Sequence, residues 1–295
     1  MALLDYKSET KNGGRMVNIR VSTNAGFDDY NPETMGTRDE WRKFFLKNTD
    51  STPIPTAYVY LNQPTANTSS YAILTLGTQT DTVSTKSERI YGAGTLNADV
   101  LPEDIVMVVD CEITDIFQID DVVIYPDVSF VRTIADIVYD GLQATITLDG
   151  NVGVNLFAGD SISSAIVVTN VTATADNFVK TFSTSTFNES LVTLNNQATI
   201  EENITVTITG VNSFSVISTR RGVLPNGSRL ADYQPLNPNF ALPYFVLPAA
   251  AWGGTATIGE EMTFSVHPSA IPIWINENIT DTATADDVVL ISYKI

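Results

Sequence analysis

The chain of 295 residues has one cysteine, Cys111, and one histidine, His267. A single thiol excludes an intramolecular disulfide framework, so stability must come from packing and association. One imidazole and one thiol are too few for a structural zinc site. A Ser/His/Asp arrangement would have to recruit His267, which stands directly before Pro268 on an expected strand. Phosphate loops are missing as well, because Gly92-Ala93-Gly94 is followed by neither a third glycine nor a Lys-Ser/Thr pair. No apolar run is long enough to span a bilayer, and Met1 to Glu9 lack the positive region and apolar core of a secretory signal. No catalytic residue and no membrane partner are expected.

Basic charge is also scarce. Sixteen Lys and Arg face 34 Asp and Glu, a net charge of −18 that repels phosphate backbones and anionic lipid, so nucleic acid is not an expected partner. The imbalance is local: residues 1–47 hold eight basic and seven acidic residues, whereas 91–219 hold 17 acidic residues against Arg132 and Lys180. This asymmetry fits a solvated acidic surface, or a polarity in which the basic end of one copy meets the acidic middle of the next. Charged residues make up only 17 %, below the usual quarter. Thr, Asn, Ser, Val and Ile take their place, a β-rich vocabulary.

The expected fold class is therefore all-β. Residues 1–16, with Gly13-Gly14 and no clear period, read as an arm. In 17–130, a β-sandwich-like domain is expected: Val17, Ile19 and Val21 alternate with polar residues, followed by strands at 43–47, 57–61, 71–76, 105–113 and 122–125. Turn formers fill 25–37. In 131–218, Leu142, Ala144, Ile146 and Leu148, then Ile204, Val206 and Ile208, alternate with polar residues among further short strands. That spacing predicts an immunoglobulin-like sandwich without its Cys-Trp-Cys signature. Residues 219–295 form a Pro/aromatic-rich docking segment followed by strands in which Met262, Phe264 and Val266, then Val289, Ile291, Tyr293 and Ile295, alternate with other residues.

The segment Gly36-Thr37-Arg38-Asp39-Glu40-Trp41-Arg42-Lys43-Phe44-Phe45-Leu46-Lys47-Asn48 and the following Ala57-Tyr58-Val59-Tyr60-Leu61 resemble a recurring pattern in virion structural proteins of tailed bacteriophages. The likeness spans roughly residues 17 to 61. It implies a non-enzymatic virion component, assembled in the host cytoplasm in multiple copies as a tail, neck, baseplate or capsid accessory protein. Its partners would be copies of itself and other virion proteins.

Three groups of residues are candidates for chemistry or contact. Tyr233, Phe240, Tyr244, Phe245 and Trp252 stand among Pro225, Pro235, Pro238, Pro243 and Pro248. Prolines deny this stretch a central strand, while its aromatics need burial on their own chain or on a neighbour. An acidic run from Asp99 to Asp127 contains Asp110, Glu112, Asp120 and Asp121, weak candidates for Ca²⁺ if their oxygens converge and otherwise a solvated face. Paired carboxylates also serve glycoside hydrolases, but no β-helix repeat accompanies them. Trp252 and Trp274 are candidates for stacking on a host glycan. Six Asn-X-Ser/Thr sites, at Asn67, Asn170, Asn188, Asn203, Asn226 and Asn278, read as chance in an Asn/Thr-rich chain.

Overall fold

The computed structural model describes residues 3–10, 13–20, 38–65, 70–125, 131–279 and 291–295, with the side chains of 17–20, 38 and 279 excepted. The expected inward Val17, Ile19 and Val21, the turn-rich stretch 25–37, Asn67, Asp127 and Val289 therefore lie outside the described residues or side chains. What is described is nearly all β. The chain runs through β1 (Leu3–Thr10), β2 (Gly13–Arg20), β3 (Arg38–Asn48), β4 (Ile54–Leu61), β5 (Tyr71–Leu76), β6 (Ala93–Leu96), β7 (Val106–Cys111), β8 (Val122–Ile124), β9 (Val131–Asp140), β10 (Gln143–Leu148) and β11 (Ser161–Val171). It continues through β12 (Thr174–Lys180), β13 (Ser185–Phe187), β14 (Thr193–Leu194), β15 (Glu202–Ile208), β16 (Ser213–Ser218), β17 (Gly222–Ser228), β18 (Leu236–Asn237) and β19 (Leu242–Pro243). The last strands are β20 (Phe245–Val246), β21 (Trp252–Gly254), β22 (Glu261–His267), β23 (Ala270–Ile279) and β24 (Ile291–Lys294). Among the described residues helix is confined to two 3-10 turns, and no helix is long and apolar enough to cross a membrane.

Two compact units form, each discontinuous in sequence. The first comprises Met1–Asp5, Leu46–Ile54 and Asn170–Ala270; the second comprises Tyr6–Phe45, Pro55–Thr169 and Ile271–Ile295. The boundaries expected at 131 and 219 do not separate them. Hydrogen bonding decides the first, because β9 pairs with β8 and β10 with β7, tying both sides of residue 131 together. The strands expected to make one immunoglobulin-like sandwich over 131–218 are divided accordingly. Residues 1–16 are not an arm either: β1 pairs antiparallel with β2, and Leu3, Tyr6 and Met16 are buried. Register shifts between Tyr6 and Ser8, and again between Ser8 and Thr10, break the period of two that a regular strand would show.

In the second unit, β11, β6, β7, β10, β9 and β8 hydrogen-bond in sequence, and β8 returns to β11, closing a six-stranded antiparallel barrel. β11 makes closure possible by pairing Ser161–Ser163 with β6 and Ser163–Ala165 with β8. The alternation of apolar residues sets what fills the barrel: Met107, Val109 and Cys111 from β7, and Ala144, Ile146 and Leu148 from β10, share one buried cluster with Phe117, Ile134 and Ile162. Gly94 on β6 is required by closeness, since a Cβ there would lie 2.6 Å from a Val109 methyl and 2.7 Å from the Asp110 carbonyl oxygen. A second sheet is ordered β2-β1-β3-β23-β5, with β23 between β3 and the edge strand β5. There Ala270, Ile271, Ile273, Trp274 and Ile275 are all buried, as a short continuous apolar run predicts.

The first unit is built on a sheet ordered β12-β22-β15-β16-β17. Ile204, Val206, Ile208, Phe214, Val216, Met262, Phe264 and Val266 make its buried face. β17 lies at an edge, where Pro225 interrupts no central ladder.

Candidate functional site

Beyond β17, residues 229–254 cover that buried face. Tyr233, Tyr244 and Phe245 are buried in the first unit, and Trp252 packs against the same cluster. Trp252 stacks on Phe214 with ring centroids 5.1 Å apart and meets Phe187 edge-on at 4.7 Å, while Phe245 meets Phe264 edge-on at 5.5 Å. Polar anchors fix the backbone. Thr199 Oγ1 donates to the Tyr244 carbonyl at 2.7 Å, Asn237 Nδ2 to that of Ala198 at 2.8 Å, and the Tyr233 hydroxyl to that of Pro225 at 2.9 Å. Phe240 is half-buried beneath the Lys47 ammonium, 4.7 Å from its ring centroid. Of the two surfaces considered for burying these aromatics, their own chain supplies one: the apolar sheet face needs a cover and the segment supplies it, with Phe240 and Trp252 left partly exposed. Beside them, Leu224–Ser228 and Ala231–Leu236 line an open groove of about 580 Å³.

His267 stands at the end of β22 between two carboxylates. Its Nδ1 lies 2.8 Å from Glu201 and its Nε2 lies 3.0 Å from Asp176. Asp176 is positioned by an irregularity in β12, where Asn177 takes φ +54°. Hydrogen bonding to Glu201, the largest cause, pushes the imidazole pKa up to about 9 against opposing burial. Both ring nitrogens are engaged by acids, so neither is left to take a proton from a nucleophile. Cys111 is equally unsuited to nucleophilic chemistry. Its thiol is buried in the barrel, and desolvation together with Asp110 and Glu112 pushes its pKa up to about 12.

The four calcium candidates are held apart by separate partners. Asp110 accepts from Gln143 at 2.9 Å and from Asn97 at 2.8 Å, which lowers its pKa, while Glu112 accepts from Thr65 at 2.5 Å. Asp121 pairs with Arg89 and accepts from the Gln118 amide at 2.6 Å. The Asp120 amide donates to the Ile134 carbonyl, and its backbone has φ +71°. Among the described residues no three His, Cys, Asp or Glu side chains converge on a metal position. Of the two stacking candidates, Trp274 is fully buried, whereas Trp252 is partly exposed, with Phe214 stacked on it and Phe187 edge-on.

Two fasteners were not visible in the sequence. Lys43 on β3 is buried against the Asp81 carboxylate. Its ammonium also donates to the carbonyls of Gly14 at 2.9 Å and Asp81 at 3.2 Å, and Trp274 Nε1 donates to the same carboxylate at 2.9 Å. Glu260 accepts from the amides of Ser183 at 2.6 Å and Thr184 at 2.8 Å and from the Ser183 hydroxyl at 2.7 Å; hydrogen bonding from the Ser185 side chain, then from Thr184 and Ser183, holds its carboxyl pKa far below the ordinary range. Strong alternation marks strands, whereas these contacts join residues 29 to 193 positions apart. Compared with family models, curated proteins and solved structures, the chain has no match.

Proposed function

We propose that this chain is a non-enzymatic structural component of a tailed-phage virion, assembled in multiple copies as a tail, neck, baseplate or capsid accessory protein. The observation that carries this reading is the use made of polar chemistry. Lys43, Asp81 and Trp274 close on one another, as do Asp176, His267 and Glu201, while Glu260 closes on the loop at 183–184. Groups committed in this way hold a shape. The virion-like segment adds support, since its described residues, 38–48 and 57–61, lie in the structural strands β3 and β4. A ring of six strands also suits a part that must meet chosen neighbours, because closure removes two edges that could pair with a wrong one and leaves β24 as the edge of that sheet.

Quantitative mass spectrometry of particles banded in a density gradient and washed in high salt tests the proposal. The chain should accompany the main shell protein at a constant ratio corresponding to several copies per particle. Recovery of the chain solely from the soluble lysate refutes it.

A further inference from the structure

The stretch that builds the barrel carries most of the molecule's net negative charge. Between Ala93 and Ala165 the sequence has thirteen Asp and Glu and one basic residue, Arg132, a net charge of −12 within the chain's −18. Register places part of this charge on one outer face. Asp136, Thr147 and Val106 share a row across β9, β10 and β7; Val138, Thr145 and Val108 share the next; Asp140, Gln143 and Asp110 share the third. Apolar side chains are thus interleaved with acids. Val138 is 62 % exposed and Val106 44 %, and Ile105, just before β7, is 42 % exposed.

We propose that this outer face of β9, β10 and β7 docks a basic polypeptide segment of another protein, one whose Lys or Arg side chains flank aliphatic ones. Geometry sets the spacing. Asp136 and Asp140 lie four residues apart on one strand, about 13 Å, with Val138 midway between them. An extended partner with cations four residues apart and an aliphatic residue between them matches that row in both charge and apolar contact. Strand addition is not the mode, since β9, β10 and β7 each have a strand on both sides. Recognition must come through side chains.

Charge also argues against a second copy as the occupant. Two such barrels repel each other, and the basic end expected to answer them is partly withdrawn: Arg42, Lys43 and Lys47 are buried in their own chain. The polarity between copies anticipated from sequence loses those three cations. A metal ion is not the occupant either, for Asp110 is held by Asn97 and Gln143 while Asp136 accepts from the Ile137 amide. A basic partner need not belong to a virion, so this inference succeeds or fails separately from the particle assay.

Fluorescence anisotropy with the full chain tests it, using a labelled peptide of repeating Lys-Thr-Leu-Thr as the probe. Binding should saturate and weaken with added salt. It should fall about tenfold in Asp136→Asn/Asp140→Asn, the loss of two exposed charge contacts, and fall also in Val138→Ser. A Glu-Thr-Leu-Thr peptide should not bind, and a Lys-Thr-Ser-Thr peptide should bind more weakly than the probe. Equal binding by the wild type and these variants overturns the proposal, because attraction would then be to net charge alone. Absence of binding overturns it too, as does a dimer in sedimentation that Val138→Ser dissociates. If a variant fails to fold, photo-crosslinking of the probe to the wild-type chain decides: adducts on β9, β10 or β7 support the site, and adducts elsewhere reject it.

Discussion

The clamp on His267 makes stability depend on pH in a defined direction. An imidazole whose pKa is about 9 in the folded chain and 6.5 in the unfolded one binds more protons when folded between those values. Stability from the clamp is therefore fully present below pH 6.5 and is lost as pH rises through about 9. That difference sets a ceiling of about 3 kcal/mol. Asp176 is 55 % exposed, so solvent screening reduces the expected effect to about 1–2 kcal/mol. Urea denaturation at about pH 6 and about pH 9, comparing the wild type with His267→Gln, isolates this contribution from other titrations. The wild type should lose more stability than the variant as pH rises, with similar m values in both. Parallel decline in the two proteins would falsify the clamp, since whatever titrates would then not be His267.

Other consequences concern the interiors of the two units. Asp81→Ala should cost about 3–5 kcal/mol in chemical denaturation, because it leaves a buried ammonium without its carboxylate; a loss below about 1 kcal/mol would mean that water reaches Lys43. Phe245→Ala should destabilise the first unit by about 3–5 kcal/mol in the isolated chain, whereas unchanged melting with impaired particle incorporation would return this segment to an intersubunit role. Cys111 should resist thiol reagents until the chain unfolds, and rapid labelling of the native protein would contradict the closed, filled barrel.

Strand interiors were the legible part of this fold. Ala144, Ile146 and Leu148, then Ile204, Val206 and Ile208, then Met262, Phe264 and Val266, all face inward as their alternation requires. Leu142, included in the same expected run, is exposed because it belongs to the turn before β10. Closure was not legible, since a sandwich and a barrel impose the same period of two, and only the double pairing of β11 distinguishes them. Discontinuity of the units was hidden for a similar reason: pairing partners leave no mark in the local pattern. The candidate aromatics were correctly read as needing burial, but proline content does not say whose surface supplies it. Lys43 and Lys47 were counted as basic surface, yet sequence holds no sign of Asp81 beside one or of the Gln197 carbonyl 2.6 Å from the other.

The central claim is that this chain is a repeated structural part of a virion, and an electron cryo-microscopy map of purified particles tests it most directly. The account predicts symmetry-related copies of density into which the six-stranded barrel and the five-stranded sheet of the first unit each fit. A map that accounts for every protein density without either unit, alongside free chain in the lysate, would contradict it.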